Sequence, residues 1–565
     1  MIKPAKRNIK LPIGISEFDT IINDNYFYID KTMLIQEVWE HSAQVLMIPR
    51  PRRFGKTLNL KMLHSFFERT DKIERKLFSD LKISKWEKYT DLSGKFPVIF
   101  LTFKDVKDES WEEVSERIKR IISSEYERHN VVTETPGFSD WNKECYEKII
   151  RLQADLIDYE GSLKKLTQYL HSHYQQKVIV LIDEYDTPLL ELYKEPDEYK
   201  KGVKFIRNLF SGLLKDNSNI EKGVLTGILR ISKESVFSGL NNVTVFSILH
   251  NSFSDKFGLT EEEIDSALLK FDLTDRKDEL ENYYNGYNFG NNKIYNPWSV
   301  INYLENKAPG PYWINTSSND LIHDLIMKSK EATIKDKVFS LLNGKSISVR
   351  LNEHIVFSDI DKKEDNVWNF LAFTGYLTVT KHHEYNDTPL YDLSIPNKEV
   401  RLFFKETIMD WLEENRINEQ ISKIHKAILE EDFKCFEREL QDISKTIISF
   451  YDTSKKPELF YHAFTLGSFI GLEEYYEIDS NREAGYGRYD IMLFPKKENL
   501  SGIIIEFKNI DKEEDKDTTL DEAINQISTK EYSSTMIKKG VKKITGLAVV
   551  FCGKKVWVKE ADLNN

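Results

Sequence analysis

Residues Gln44 to Glu68 read QVLMIPRPRRFGKTLNLKMLHSFFE, and this stretch decides how the N-terminal part of the chain folds. An apolar strand, QVLMI, is followed by a basic turn and then by apolar residues at helical spacing. The turn ends in Gly55, Lys56 and Thr57, which match the last three positions of the pattern GxxxxGK[ST]. In that pattern a glycine-rich backbone cradles phosphates, the lysine contacts the β and γ phosphates, and the hydroxyl binds Mg²⁺. The stretch therefore predicts a strand, a phosphate loop and a helix that hold a nucleotide.

The loop departs from this pattern at its first position, where Arg50 replaces glycine. Pro51 also removes one backbone N–H donor. In exchange, Arg50, Arg52 and Arg53 bring positive charge that can hold phosphate oxygens. Nucleotide binding is therefore favoured more than hydrolysis. A chance GKT at the start of a helix is the alternative, and the flanking strand and helix argue against it.

A second apolar strand, KVIVLIDEYD, ends in acids. We expect Asp183 to bind Mg²⁺, directly or through water, and Glu184 to polarise the attacking water. Thr226, inside the run GVLTGIL, is a candidate to sense the γ phosphate, and Arg230 at the end of that run is a candidate to pair with it. The alternatives are ordinary: a solvated strand end, a threonine bonded to backbone and a solvated arginine.

Short apolar runs alternate with helical patterns between residues 44 and 248, and this alternation predicts a parallel sheet covered on both faces. The runs are QVLMI, FPVIFLTF, KVIVLIDE, GVLTGIL and VTVFSI. Thr260 and Glu263 then form a capping-box pattern at the start of a helix, ahead of a turn-rich aromatic segment. Between Val367 and Glu413 the order helix, strand, turn, strand, helix predicts a winged-helix-like module.

A second α/β pattern occupies the C-terminal part, with strands at YYEID, RYDIMLF, GIIIEFK, GLAVVF and KVWVK and a helix from Leu520. Because side chains alternate along a strand, Glu506 and Lys508 share one face while Phe507 points into the core. Asp490, on a neighbouring antiparallel strand, is expected to meet them. Two carboxylates with a lysine are the groups that a magnesium-dependent phosphodiesterase requires. A solvated strand end is the alternative.

Charge and cysteine content limit the classes of function. The 80 Lys and Arg residues against 92 Asp and Glu residues give a net charge of -12, which argues against binding a polyanion by global attraction but leaves room for a local basic groove. The three cysteines are far apart and predict buried thiols, neither disulfides nor a zinc site. No signal peptide or membrane span is predicted, so we expect a soluble, cytoplasmic protein.

Several stretches resemble the AAA-ATPase-like family of bacterial and symbiont proteins, whose members usually carry a C-terminal PD-(D/E)XK nuclease domain. They are LPIGISEFD, YFYIDKT, IPRPRRFGKT, LIDEYDTPL, LTGILRISKESVFSGLNN, FGLTEEEI, YYNGYNFG, IYNPWSV and FTGYLT, and they extend over nearly the whole chain. The resemblance implies a RecA-like ATPase core followed by a helical lid. It also implies that the missing first glycine is a trait of the family, whose phosphate loop is of the same RPRRFGKT kind.

The same resemblance implies further residues around the C-terminal acids. Glu483 resembles an additional acid that completes the metal shell, with a solvated turn as the rival interpretation. Gln526 and Tyr532 match a Gln and a Tyr that related nucleases direct at the site. From its position, Arg488 is a candidate to contact the scissile phosphate, whereas His462 is interpreted as an ordinary histidine.

Lysines near the C-terminus are candidates for a groove that follows the phosphate backbone, with Lys538 and Lys542 as its leading members. The full set is Lys538, Lys539, Lys542, Lys543, Lys554 and Lys555. A solvated helix end and hairpin explain these lysines about as well.

The predicted architecture is α/β and multidomain. A P-loop, RecA/AAA-like core over residues 1–255 precedes a helical lid and turn-rich region over 256–365, a winged-helix-like and helical linker over 366–455, and a PD-(D/E)XK fold of order αβββαβ over 456–565. We expect an ATP-binding protein, with Mg²⁺ or Mn²⁺, fused to a nuclease that cleaves DNA in preference to RNA under nucleotide control. A homo-oligomer or a partner protein is compatible with this interpretation. The principal alternative is a nucleotide-binding switch or interaction protein whose nuclease fold is inactive.

Overall fold

The computed structural model of the chain has two compact units. It describes residues 9–70, 76–229, 242–316, 320–327, 332–342, 344–353, 360, 363–414, 418–448, 469, 472, 474–480, 483–484, 487–488, 490–529 and 532–563. The first unit comprises Met1–Ser317, Val349–Leu390 and Pro396–Glu399, and the second comprises Ser318–Ser348, Tyr391–Ile395 and Val400–Asn565.

The first unit is built on a five-stranded sheet in the order β2-β3-β4-β1-β5, in which all neighbouring strands pair in parallel. Its strands are β1 Val45–Met47, β2 Val98–Thr102, β3 Val178–Asp183, β4 Ile220–Leu225 and β5 Val243–Val245, which confirms the five predicted runs. The helices between them are α1 Phe18–Asn23, α2 Met33–Glu40, α3 Lys56–Phe67, α4 Tyr89–Leu92, α5 Trp111–Arg128, α6 Asp140–Ile150, α7 Leu156–Tyr174, α8 Thr187–Leu192 and α9 Pro196–Leu214.

Burial explains why these runs form central strands. All six residues of β3 are buried, as are all three of β1, because helices cover both faces of the sheet. Parallel strands end at a common edge, so the loop after β1, the acid that ends β3 and the residue after β4 all lie at that edge. This topology brings residues far apart in sequence into one site.

Helices dominate the middle of the chain. The elements are α10 Glu261–Phe271, α11 Lys277–Tyr284, β6 Tyr287–Phe289, β7 Asn292–Ile294, α12 Pro297–Asn306, α13 Asp320–Met327, α14 Ala332–Leu342, β8 Ile347–Val349, α15 Glu364–Thr374, β9 Thr378–Tyr385, β10 Thr388–Ser394, α16 Lys398–Glu414, α17 Asn418–Glu430 and α18 Phe433–Ile448. Thr260 and Glu263 form the predicted capping box at α10. Helix α15, strands β9 and β10 and helix α16 follow one another in the order predicted for the winged-helix-like segment.

The second unit contains a mixed five-stranded sheet in the order β11-β14-β15-β16-β17, in which only β15 and β16 are parallel. Its elements are β11 Tyr476–Ser480, a short ladder of β12 Glu483–Ala484 with β13 Gly487–Arg488, then β14 Ile491–Pro495, β15 Gly502–Asn509, α19 Lys516–Thr529, α20 Ser533–Lys538, β16 Ile544–Cys552 and β17 Lys555–Asp562. The strands at YYEID, RYDIMLF, GIIIEFK, GLAVVF and KVWVK are thereby confirmed.

Two properties of the chain bear on its surroundings. Cys145, Cys435 and Cys552 are free thiols, and each is half-buried, so the prediction of buried thiols was wrong. Within the described ranges, the helices include none with the length and apolar content needed to cross a bilayer.

Candidate nucleotide and nuclease sites

The loop between β1 and α3 has the backbone shape of an anion cradle. Arg53 has φ 66° and Gly55 has φ 84°, both in the left-handed region. Glycine adopts this conformation without strain, whereas for a residue with a Cβ atom its conformational free energy is higher by about 1 kcal/mol. Left-handed residues interspersed in a turn make successive N–H groups converge, and such concavities bind phosphate. The loop thus has left-handed residues of the kind found in anion-binding turns, although it lacks the first glycine.

Lys56 is buried and forms hydrogen bonds with the main chain of this loop. Its Nζ donates to the carbonyl oxygens of Arg50 and Pro51, each at 3.1 Å, and lies 3.2 Å from Oε1 of Glu184. Burial alone would raise the pKa of Glu184, but Lys56 and Arg52 outweigh it and hold that pKa below its usual value. The predicted phosphate-binding lysine and the predicted base therefore form an ion pair.

Asp183 is the centre of a cluster of hydroxyl groups. Thr57 Oγ1 donates to its Oδ2 at 2.7 Å, Thr102 Oγ1 donates to the same oxygen at 3.3 Å, and Thr226 Oγ1 donates to Oδ1 at 2.9 Å. Burial raises the pKa of Asp183, and the neighbouring Glu184 adds to this effect. A carboxylate and a threonine hydroxyl in contact are an oxygen-only donor set, which suits Mg²⁺. The residues present therefore fit the predicted metal.

The structure corrects the interpretation of Arg50. Its side chain is completely buried, and it donates to the carbonyl oxygens of Pro49 at 2.8 Å, Phe246 at 2.7 Å and Phe253 at 3.2 Å. Burial lowers its pKa to about 9. Arg50 therefore supports the loop from behind and does not face the phosphate position, because its guanidinium group is bonded to backbone carbonyls.

The other two loop arginines remain candidates. The Arg53 side chain is exposed, and its guanidinium carbon lies 4.4 Å from the ring centroid of Trp298. Arg52 is half-buried and lies close enough to Glu184 to lower its pKa. Thr226 directs its hydroxyl to Asp183, so it reaches the site through that acid. Arg230 lies outside the described residues.

Asp186 is a residue that the sequence reasoning missed. It is completely buried, and its Oδ2 accepts from the N–H groups of Ile228 and Leu229, each at 2.8 Å. Burial raises its pKa to about 6. Asp186 ties the end of β3 to the chain that follows β4. Its position as the last acid of KVIVLIDEYD was the available signal, but nothing in the sequence indicated which of the three acids points inward.

The second centre lies in the mixed sheet, where β14 and β15 pair with Ile491 opposite Ile505. This register places Asp490, just before β14, beside Glu506. Asp490 Oδ2 accepts from the N–H of Phe507 at 2.8 Å, and Lys508 Nζ lies 3.0 Å from Oε1 of Glu506. The structure thus brings the predicted acids and lysine together.

Helix α19 adds a polar contact to this centre. Gln526 accepts from Lys508 Nζ at 2.9 Å through Oε1 and donates to Glu506 through Nε2. Tyr532 is buried. Burial is the main cause of its raised pKa, and the negative charges of Glu506 and Asp490 raise that pKa further. Gln526 and Tyr532, which the resemblance implied, therefore lie at the same centre.

Phe507 lies on the other face of β15, where it is buried and stacked on Phe551 with 6.3 Å between ring centroids. Glu506 and Lys508 both contact Gln526 of α19, so the alternation of faces predicted for this triplet is present. Two carboxylates on adjacent strands form an oxygen donor set that suits Mg²⁺ or Mn²⁺.

Some predicted residues of this centre are only partly described. The backbones of Glu483 and Arg488 pair with each other in the β12–β13 ladder, and their side chains lie outside the described residues, as does all of His462. Among the residues that the structure describes, no group of three or more His, Cys, Asp or Glu side chains has a metal-binding arrangement. A third acid for this metal site is therefore not placed.

The C-terminal lysines divide between two ends of the sheet. Strands β15 and β16 run parallel, with Gly502 opposite Ile544 and Asn509 opposite Phe551. Lys538 and Lys542 precede β16, at the end remote from Lys508. Lys554 and Lys555 follow β16, at the end where Lys508 lies. The lysines that are near in sequence therefore do not form one surface around the acids.

At the remote end, Lys542 lines a surface cavity of about 340 Å³, whereas Lys538 does not. Its charged members are Glu431, Lys496, Lys497, Glu498, Lys539, Lys542 and Lys543. Lys543 Nζ lies 2.5 Å from Oε2 of Glu431, and Lys539 Nζ lies 3.2 Å from Oε1 of Glu477, so part of the positive charge is neutralised within the protein.

Comparisons with known proteins match the two parts of the chain that contain these candidate sites. Residues 12–237 match the family model described as "Predicted AAA-ATPase", and residues 456–561 match the model of the PD-(D/E)XK nuclease superfamily. A protein of Azotobacter chroococcum mcd 1, described as "Uncharacterized protein in vnfD 5'region", is 26% identical over 432 residues, which cover 75% of each chain.

Proposed function

We propose that this chain, which joins an AAA-ATPase-like region to a PD-(D/E)XK nuclease region, binds ATP with Mg²⁺ and cleaves DNA under the control of the bound nucleotide. Both matched families are hydrolase families, and the nuclease match implies a nucleic-acid substrate. The observation that carries the proposal is the convergence of Asp490, Glu506, Lys508 and Gln526 on one face of the mixed sheet.

At the first centre, the main-chain N–H groups of the loop and the ammonium group of Lys56 bind the β and γ phosphates, and Arg52 and Arg53 add charge from the rim. Thr57 and Asp183 would hold Mg²⁺, which would supply positive charge to the phosphates. Incoming phosphate competes with Glu184 for Lys56, because the two lie 3.2 Å apart in an ion pair. A displaced Glu184 is then available to orient water.

At the second centre, Asp490 and Glu506 would hold the divalent metal, which would supply a Lewis acid for water and for charge on the phosphate. The hydrogen bond from the Phe507 N–H fixes Asp490, and Gln526 fixes both Glu506 and Lys508. Lys508 orients the attacking water or accepts its proton. Glu483 completes the metal shell, and Arg488 contacts the scissile phosphate, in this proposal.

DNA is the proposed substrate, with Lys538 and Lys542 as contacts to its phosphate backbone outside the cleavage centre. A chain of net charge -12 needs such local positive groups to bind a polyanion. The three free thiols suit a reducing compartment, and we place the protein in the cytoplasm.

Nucleotide control is proposed because both centres belong to the same chain. The variants Asp490→Ala and Lys56→Ala test this control. If Asp490→Ala abolishes cleavage while Lys56→Ala cleaves at the wild-type rate with ATP present, gating by nucleotide is contradicted.

The decisive assay uses purified full-length protein with plasmid DNA, single-stranded DNA and RNA, in Mg²⁺ or Mn²⁺, with and without ATP. We expect cleavage of DNA that Asp490→Ala abolishes. The altered loop and the Lys56–Glu184 pair favour a second candidate function, a switch that binds ATP without cleaving nucleic acid. Clear ATP binding with no cleavage of any of the three substrates would favour that switch.

A further inference from the structure

Two carbonyl groups of the phosphate loop are held from outside the loop. The indole Nε1 of Trp313 donates to the carbonyl oxygen of Arg52 at 3.1 Å, and the N–H of Gly258 donates to that of Phe54 at 3.1 Å. Both donors lie in the segment that follows the parallel sheet, far from the loop in sequence. The turn-rich and helical region therefore holds the loop through these two hydrogen bonds.

These two contacts determine where the following N–H groups point. Every peptide bond of the described chain is trans, so the C=O of one residue and the N–H of the next point in opposite directions. The carbonyl groups of Arg52 and Phe54 point toward their donors in the turn-rich and helical region. The N–H groups of Arg53 and Gly55 therefore point away from that region. Within the described chain neither N–H group donates to a backbone carbonyl.

The conformation of the loop makes these donors suitable for an anion. Arg53 and Gly55 are the two loop residues with positive φ, the arrangement that turns successive N–H groups toward one point. Lys56, the next residue, places its ammonium group against the same loop. Donors that are oriented before the ligand arrives bind it more tightly, because no ordering is needed on binding.

Trp313 is itself fixed by a buried carboxylate. Its side chain is buried, and its main-chain N–H donates to Oε1 of Glu399 at 2.6 Å. The other oxygen, Oε2, accepts from Ser299 Oγ at 2.8 Å. Glu399 is completely buried in the first turn of α16. Hence Glu399 sets the position of Trp313, and Trp313 sets the orientation of the loop peptide.

We propose that Trp313 and Glu399 are positioning residues that aim the Arg53 N–H at the polyphosphate chain of a bound nucleotide. This inference rests on the proposed nucleotide binding and names residues outside the phosphate-loop motif that contribute to it. Glu399 acts through Trp313, and neither side chain touches the nucleotide. Their contribution is the preorganisation of the cradle.

The test is the affinity of the full-length protein for inorganic tripolyphosphate, measured by isothermal titration calorimetry. Trp313→Phe keeps an aromatic ring and removes the indole N–H, and we expect roughly three- to tenfold weaker binding, the effect of losing one oriented hydrogen bond. Trp368→Phe is the matched control, since Trp368 is also buried and donates its indole N–H at 3.1 Å to Glu364 of its own helix and not to the loop.

Unfolding midpoints without ligand separate positioning from stability. We expect both variants to lower the midpoint and only Trp313→Phe to weaken tripolyphosphate binding. Equal tripolyphosphate affinity in the two variants would overturn the inference. If Trp313→Phe does not fold, Glu399→Gln replaces it, because it keeps the size of the side chain but presents an N–H group to the donors around it. Wild-type affinity in a folded Glu399→Gln protein would then overturn the inference.

Lys56→Ala distinguishes this inference from the proposed function. If the wild type and Lys56→Ala bind tripolyphosphate equally, nucleotide binding by the loop fails. If Lys56→Ala loses binding and Trp313→Phe does not, only the positioning role fails.

Discussion

The two centres use the same pair of side chains in different ways. In the first, Lys56 lies 3.2 Å from Glu184, and in the second, Lys508 lies 3.0 Å from Glu506. Lys56 is almost fully buried, with 2% of its side chain exposed, whereas 30% of the Lys508 side chain is exposed. In the proposed function, Lys56 exchanges its carboxylate partner for a phosphate, whereas Lys508 is already exposed to solvent.

The centres also differ in how the chain assembles them. The groups around Asp183 come from Thr57, Thr102 and Thr226. Thr102 ends β2, Thr226 follows β4, and Thr57 lies in the first turn of α3. Asp490, Glu506, Lys508 and Gln526 lie within one short stretch of the chain. A parallel sheet gathers distant residues at one edge, whereas a strand pair and the next helix form a centre from neighbours in sequence.

The largest effect is expected at the second centre. Glu506→Gln removes a metal-binding charge and leaves the size of the side chain unchanged, so DNA cleavage in Mg²⁺ should fall by at least about a hundredfold. Cleavage of supercoiled plasmid measures it, with Asp521→Asn, an acid of α19 paired with Lys559, as the control. Full activity in Glu506→Gln would remove this centre from the reaction.

The next effect tests the exchange of partners at the first centre. Glu184→Gln removes the carboxylate that pairs with Lys56, so ATP should bind at least as tightly as in the wild type while hydrolysis slows by about ten- to a hundredfold. Calorimetry measures binding and phosphate release measures turnover, with Asp197→Asn as a surface control. Hydrolysis at the wild-type rate would show that Glu184 is not the base.

A smaller effect concerns the lysines remote from the acids. Replacing Lys538 and Lys542 together by glutamine should weaken binding of a long DNA duplex several-fold. The plot of the logarithm of the association constant against the logarithm of the salt concentration has a negative slope, and its magnitude should decrease by up to about 2. Lys200 and Lys201, each paired with an acid on α9, provide a matched double variant. An unchanged slope would show that this end of the sheet does not contact DNA.

The smallest effect is a dependence of stability on pH. Burial raises the pKa of Glu399 from 4.5 to about 7, although Ser299 and Trp313 donate to it. The folded chain therefore binds a proton at Glu399 more tightly than the unfolded chain does. Above about pH 7 the ionised Glu399 lowers the free energy of unfolding, and this destabilisation disappears as the pH falls to about 4.5. The unfolding free energy of the wild type relative to Glu399→Gln should therefore rise as the pH is lowered from about 7 to about 4.5.

Chemical denaturation at several pH values measures this difference, with Asp197→Asn as a variant of an exposed acid. A difference that is constant between pH 4.5 and pH 7 would contradict the raised pKa of Glu399.

Much of both centres could be predicted from local sequence. The strand, loop and helix around Gly55, Lys56 and Thr57 follow from apolar periodicity, and the shared face of Glu506 and Lys508 follows from strand alternation. Asp186 and Glu399 could not be predicted, because a carboxylate in sequence looks the same whether it faces water or the interior. Arg50 was misinterpreted for the same reason.

The sequence by itself determined the two α/β units and the residues of the phosphate-loop and acid–lysine motifs, because periodicity and spacing are local properties of the chain. Only the tertiary structure decided that Arg50 lies behind the loop, that the lysines before and after β16 lie at opposite ends of a sheet, and that Trp313 and Glu399 support the phosphate loop. These outcomes depend on contacts between residues far apart in sequence. Burial and hydrogen bonding across such distances arise when the chain packs, and a linear pattern does not contain them.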